Sequence, residues 1–220
     1  LQCSFHIEII LTCLQWQKCL VYFDNVIIFS KTFEEHIEGL GGVLQRIKES
    51  GMRLKPKKCH LFQPEVSFLG HIISARGILP DPDNVKKLKD WPPPVKVKEV
   101  RAFLGLANYY KKFVKDYSRL VKPMTSLTQK NTPFKWTPQC QEAFDKVKSI
   151  LLGPDIMAFP VNDAQYILDC DACDVAIGAV LSQVQGDREC VIAYGSKTLN
   201  KAERNYCVTD KECLAVKHFT

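Results

Sequence analysis

No apolar run in this 220-residue chain is long enough to cross a bilayer. The stretch around Ile9-Ile10-Leu11 is short and lacks the basic flank of a secretory signal, so neither export nor a membrane partner is expected. Internal repeats and low-complexity tracts are missing as well, which argues against a solenoid or a disordered array. Of the 10 cysteines, only Cys170-x-x-Cys173 forms a close pair. No second pair stands at zinc-finger spacing, so a structural zinc site is not expected. Irregular spacing without a signal implies reduced thiols in an intracellular protein, cytoplasmic or nuclear. Leu1 at one end and an apolar helical pattern running into Thr220 at the other make both ends read as cut.

A hydrophobic fraction of 46% and a charged fraction of 25% are those of a globular protein, with length for one large domain or two small ones. The formal net charge is +6. Lysines cluster at Lys55, Lys57 and Lys58, at Lys86, Lys87 and Lys89, and at Lys96, Lys98, Lys111 and Lys112. Two readings stay open for them: contacts to a polyanion, or solvated helix faces.

Near the start, Tyr22-Phe23-Asp24-Asn25 sits between Cys19-Leu20-Val21 and Val26-Ile27-Ile28-Phe29. Two β-branched and aromatic runs around an acidic tip predict a β-hairpin turning at Asp24-Asn25. Such a carboxylate is either an ordinary Asx turn or a ligand for a hard cation. Thr32-x-x-Glu35 then predicts a capping box, and Phe33, Ile37, Leu40, Leu44 and Ile47 an amphipathic helix ending near Gly51. Gly39, Gly41 and Gly42 inside that helix each cost about 1 kcal/mol relative to alanine, a hint of sequence drift.

Strands are expected from Met52-Arg53-Leu54 through His60-Leu61-Phe62 and over Phe68 to Ile73. Pro80, Pro82 and Trp91-Pro92-Pro93-Pro94 mark a boundary. Short helices should follow: one with Val85, Leu88 and Trp91, one with Val100, Phe103, Leu104, Ala107 and Tyr110, and one through Leu120, Met124 and Leu127. Thr137 as N-cap with Pro138 at the first helical position starts a helix burying Ala143, Phe144, Val147 and Leu151. The last third predicts strands over 166–171, 176–183 and 189–194, then a helix from about Lys201 to Phe219. Its stripe Val208, Glu212, Ala215, Phe219 places a carboxylate on a core face, where pairing or metal coordination is needed. Asp171 at the end of the first of these strands is the natural companion, ahead of Asp169 and Asp174. Two converging carboxylates suit divalent ions, the usual device of phosphodiester chemistry. The bland alternative is a snorkelling Glu212 and a strand-capping Asp171.

Cys19-Leu-Val-Tyr-Phe-Asp-Asn-Val-Ile-Ile-Phe-Ser30 closely resembles the YxDD hairpin of reverse transcriptases from gypsy-type LTR retrotransposons. So do Phe68-Leu-Gly-His-Ile-Ile-Ser74, Val100 to Tyr110, and Phe134-Lys-Trp136 with Gln141 to Phe144. Asp169 to Ser182 and Asn205 to Ala215 are similar to the start and the first helix of the attached RNase H domain. The resemblance runs from about Leu14 to the end, in the family's order.

That resemblance implies an α+β fold: the C-terminal part of a polymerase palm over 1–78, a small helical thumb over 79–130, a connection over 131–162, and a truncated RNase H-like βββα domain over 163–220. It implies RNA-directed DNA polymerase and hybrid-nuclease chemistry with two magnesium ions per site. Carried over residue by residue, Asp24 is the palm ligand, Asn25 stands where a second aspartate is expected, and Asp171 and Glu212 are the first RNase H ligands. Phe68, Leu69 and Gly70 would position the primer, with Tyr22, Lys111 and Lys112 against nucleic acid. Implied partners are an RNA template, a DNA primer, the RNA–DNA hybrid and dNTPs. The remaining family ligands fall before residue 1 and after Thr220, so a catalytically incomplete chain is expected. The competing reading is a non-catalytic, retroelement-derived remnant that binds nucleic acid, or a fragment without a function of its own.

Overall fold

The computed structural model describes residues 7–153 and 156–220. The chain divides into two compact units, Leu1–Phe68 and Leu69–Thr220.

In the first unit, β1 (Cys19–Tyr22) and β2 (Asn25–Ile28) form an antiparallel hairpin with Tyr22 opposite Asn25. The turn is therefore Phe23-Asp24, one residue earlier than the sequence implied. Phe23 takes the left-handed backbone at φ 55, and Asn25 is already the first residue of β2. Apolar residues on both strands left the phase of the tip undetermined, and strand pairing fixed it.

Helix α1 (Phe33–Glu49) starts as expected. Thr32 Oγ1 accepts the Glu35 backbone N–H, and Glu35 reaches back to the N–H of Lys31. It ends in a Schellman motif: Gly51 at φ 72 donates to the Lys48 carbonyl, and Met52 to that of Ile47. Val43 and Ile47 pack with Leu11, Cys19 and Val21 into one small core. No strand forms over 52–62. A single 3-10 turn at Pro56–Lys58 occupies that stretch, because Pro56 removes a ladder donor and three lysines favour solvent. Strand β3 (Glu65–Phe68) closes the unit.

The second unit opens with a turn at Leu69-Gly70, both left-handed at φ 49 and 69, which interrupts the single strand expected over Phe68–Ile73. Strand β4 (His71–Ser74) pairs antiparallel with β5 (Gly77–Pro80), which ends on the proline read as a breaker. Pro80 is tolerated as the terminal residue of its strand. Five helices follow: α2 (Pro82–Lys89), α3 (Val97–Tyr109), α4 (Tyr117–Leu120), α5 (Lys122–Ser126) and α6 (Pro138–Leu152). The single helix expected through Leu120 and Leu127 is split at Val121 into α4 and α5. Thr137 caps α6 by accepting the Cys140 N–H. Val85, Leu88, Val100, Phe103, Tyr110, Met124 and Phe144 make the largest core, with Phe103 and Phe144 rings 4.5 Å apart.

Strands β6 (Tyr166–Ala172), β7 (Ala176–Gln185) and β8 (Arg188–Thr198) form an antiparallel meander in that order. Helix α7 runs over Val208–Phe219 and not from Lys201; a 3-10 turn at Glu203–Asn205 takes the earlier stretch. The buried stripe moves accordingly. Val208 is 71% exposed, while Lys211 and Ala215 are buried. Ala215 packs with Ile177 and Leu199, joined by Cys170, Ala172 and Phe219 from the rim.

Candidate metal and nucleic-acid sites

At the hairpin tip, Tyr22, Phe23, Asp24 and Asn25 are all exposed, and the Tyr22 and Phe23 rings meet edge-to-face at 4.7 Å. Among the described residues no ion pair or hydrogen bond engages the Asp24 carboxylate. Held on a two-residue turn between paired strands, it presents oxygens outward on a short, stiff support. Asn25 can add only a neutral amide oxygen beside it, a weaker partner for a hard cation.

Asp171 is exposed on β6, opposite Gly178 of β7. It lines a small cavity with Asp116, Arg119, Cys173 and Ser196. A Cβ on Gly178 would fall 2.6 Å from Asp116 Oδ1, so the Asp116 carboxylate lies directly over that glycine. Ser118, two residues on, donates its backbone N–H to Ser196 Oγ at 3.1 Å. Residues alternate faces along a strand, so Cys170 and Ala172 turn to α7 while Asp171 turns the other way. Glu212 is half-buried on α7. Burial holds the Cys170 thiol above its ordinary range, and the charges of Asp169 and Glu212 push in the same direction. Asp171 and Glu212 therefore flank β6 from its two faces. Among the described residues no three His, Cys, Asp or Glu side chains are placed to share a metal. As donors, Asp24, Asp171 and Glu212 are still of the right chemistry, since magnesium keeps several waters and takes one or two carboxylates.

Beside Glu212, Lys211 is buried, and its Nζ reaches Asp174 Oδ1 at 3.0 Å on the turn after β6. Sequence reading ranked Asp174 low and did not mark Lys211 at all. A lysine in phase with Ala215 on α7 was the available signal.

Four donors converge on the two carbonyls of the Leu69-Gly70 turn. Tyr109 Oη donates to the Leu69 carbonyl, and Tyr110 Oη donates to the Gly70 carbonyl at 2.9 Å. His71 Nδ1 donates to the Leu69 carbonyl at 2.8 Å, and the Asp81 backbone N–H to that of Gly70 at 2.9 Å. The carbonyl acceptor fixes the Nδ1–H tautomer of His71, leaving Nε2 buried without a partner among the described residues. Its ring lies 5.5 Å from Tyr109, 5.6 Å from Tyr110 and 5.8 Å from Phe113. Burial lowers the His71 pKa, and the nearby Lys112 charge adds to that; the Leu69 carbonyl and Asp81 act against it. Lys112 is itself lowered by burial, its ammonium 5.2 Å above the Phe113 ring, whereas Lys111 is exposed. The clusters at Lys55, Lys57 and Lys58 and at Lys86, Lys87 and Lys89 are exposed too.

Two family models fit the chain. One, reverse transcriptase (RNA-dependent DNA polymerase), covers residues 3–73; the other, an RNase H-like domain found in reverse transcriptase, covers residues 136–220. A palm-type hairpin followed by an RNase H-like meander is thus the signature of a reverse transcriptase, a class that works with divalent metal ions.

Similarity to individual proteins narrows this. The chain is 38% identical over 209 residues to the retrovirus-related Pol polyprotein from transposon opus of Drosophila melanogaster, covering 90% of this chain and 21% of that protein. It is 40% identical over 202 residues to the Pol polyprotein from transposon 297 of the same fly, covering 91% and 19%. With the transposon Tf2-7 polyprotein of Schizosaccharomyces pombe it shares 36% identity over 214 residues, covering 97% and 16%. Over most of its length the chain is similar to Pol polyproteins of gypsy-type retrotransposons, and it spans about a fifth or less of these relatives. In fold it is similar to the foamy viral protease-reverse transcriptase dRH in complex with ds DNA, with a TM-score of 0.85, 23% identity, and coverage of 98% of this chain and 38% of that one. The same enzyme in complex with RNA/DNA hybrid gives a TM-score of 0.82, at 23% identity, over 98% of this chain and 29% of that one.

Proposed function

We propose that this chain is the part of a retrotransposon RNA-directed DNA polymerase and hybrid nuclease running from the palm hairpin into the RNase H-like domain. Palm sequence occupies 1–78, thumb 79–130, connection 131–162 and the RNase H-like part 163–220. Asp24 is the surviving palm carboxylate, and Asn25 is a degenerate position. Asp171 and Glu212 are the carboxylates that the resemblance assigns to the RNase H-like part, held on opposite faces of β6. Magnesium is the ion for both, and when bound it would activate the attacking oxygen and offset charge on the leaving group. Tyr22, Phe68, Leu69, Gly70, Lys111 and Lys112 face nucleic acid: an RNA template, a DNA primer and their hybrid, with dNTPs in the complete enzyme. No described helix is long and apolar enough to cross a membrane.

The observation that carries this reading is Pol similarity running in order through both segments, joined to an exposed, unengaged Asp24 on the hairpin turn. Asn25 favours the non-catalytic version of the reading for this chain by itself. With magnesium and an RNA template annealed to a DNA primer, the purified chain should bind the duplex but not extend the primer. Binding should weaken as salt rises, with a log–log slope steeper than about −2 if three or more lysines meet phosphates. Primer extension overturns the non-catalytic version, and salt-independent affinity overturns nucleic-acid binding through the lysines.

A further inference from the structure

We propose that Tyr109 and Tyr110 are positioning residues for the primer terminus, acting through the Leu69-Gly70 turn. The inference rests on the reading above that this turn meets the primer. Both carbonyls of the turn are taken by groups from far along the chain: Tyr109 Oη on Leu69, and Tyr110 Oη on Gly70 at 2.9 Å. His71 Nδ1 and the Asp81 N–H supply a second donor to each. Four donors on two carbonyls use both lone pairs of each, so neither carbonyl is left free to turn toward solvent. Gly70 confirms how closely the tyrosines approach. A Cβ there would stand 3.1 Å from Tyr110 Oη, 3.2 Å from Asn84 Nδ2 and 3.3 Å from the Tyr109 ring.

The two hydroxyls differ in setting. Tyr110 is 1% exposed and locked in the core beside Phe103 and Phe113, so its hydroxyl is a fixed post. Tyr109 is 52% exposed, with its ring edge-to-face on Tyr110 at 4.9 Å. Both extend from the C-terminal end of α3, whose other face is buried at Val100, Phe103, Leu104 and Ala107. A left-handed Leu69 is strained for a side chain larger than glycine and persists only when its surroundings hold it. The tyrosine pair supplies that hold and couples the turn to the helical core. Only with the turn fixed do Leu69 and Gly70 have one place to offer a nucleic-acid strand.

The test uses the full chain bound to an RNA template and a DNA primer with 2-aminopurine as its terminal 3′ base, read by fluorescence. A second duplex carries the probe well upstream as a control. Tyr109→Phe and Tyr110→Phe keep the rings and remove only the hydroxyls. Each should shift the terminal signal about two- to tenfold toward that of free duplex, the ratio of populations worth one hydrogen bond. The upstream signal, overall affinity and melting midpoint should change much less. A turn variant, Leu69→Asp, should abolish the terminal signal. If Leu69→Asp abolishes it and both Tyr→Phe variants leave it intact, the positioning role is overturned while the primer reading stands. If the wild-type chain gives no terminal signal, or Leu69→Asp leaves it unchanged, the primer reading fails and takes the inference with it. Equal loss at both probes makes the tyrosines merely structural and also overturns the proposal.

Discussion

Replacing Gln183 by Leu should destabilise the second unit by about 2–4 kcal/mol while leaving its core volume nearly unchanged. The side chain is fully buried in β7. Its Oε1 accepts the Val161 N–H at 2.9 Å, and its Nε2 donates to the carbonyls of Val161 at 3.2 Å and Ala164 at 3.1 Å. One amide thus stands in for a missing strand, pairing with the chain just before β6. Leucine fills the space but leaves one backbone donor and two acceptors without their partner. A neutral hydrogen bond is worth about 1 kcal/mol net, and a stranded buried group costs about 1–3 kcal/mol. Because Val161 is half open to solvent, water recovers part of the loss, which sets the lower figure. Gln185 gives the internal comparison: it is only half-buried and donates to the exposed Phe159 carbonyl at 2.7 Å, so Gln185→Leu should cost about 1 kcal/mol or less. Gln185 Nε2 also donates to Gln183 Oε1 at 3.2 Å, so the two changes should be non-additive by about 0.5 kcal/mol or more. Urea unfolding measures the stability, and amide exchange at Val161 localises the change. A loss under about 0.5 kcal/mol for Gln183→Leu would refute the reasoning.

Two further outcomes can be checked on the same chain. Gly41→Ala in α1 should stabilise the first unit by about 0.5–1 kcal/mol, because a Cβ there meets nothing within 4 Å; a loss in urea unfolding would show that the helix needs the glycine. His71 has a folded-state pKa below its ordinary value, so the unfolded chain binds the proton more readily. Stability should therefore be full above about pH 6.5 and decline as pH falls below it, down to the folded-state pKa. His71→Asn should flatten that part of the profile, and an unchanged slope would assign the decline to other groups.

Legibility in the sequence followed the range of the forces involved. Thr32 and Thr137 were readable as caps because the bonds they make span three residues, Glu35 to Thr32 and Cys140 to Thr137. The apolar face of α3 and the three strands of the meander were readable from local periodicity. By contrast, the break at Leu69-Gly70 lies inside a run whose apolar residues on either side read as one strand, and nothing local marks Leu69 as left-handed. The tyrosine bonds that hold it span 40 residues. In α7 the error was one of phase: beginning the helix at Lys201 put Val208 inside, whereas the chain puts Lys211 there and balances it with Asp174. As for the candidate sites, the sequence marked their carboxylates individually. The faces of β6 from which Asp171 and Glu212 approach emerge only from strand alternation in the folded sheet.

One consequence follows from the pairing of Tyr22 with Asn25. Because residue 25 is held by main-chain bonds of β2, the hairpin's shape does not depend on which side chain stands there. An amide and a carboxylate of equal size are interchangeable to the backbone, so a lineage can lose the charge without losing the scaffold. The architecture is inherited separately from the chemistry, and a single exchange of an amide for an acid at that position would meet a hairpin already shaped to receive it.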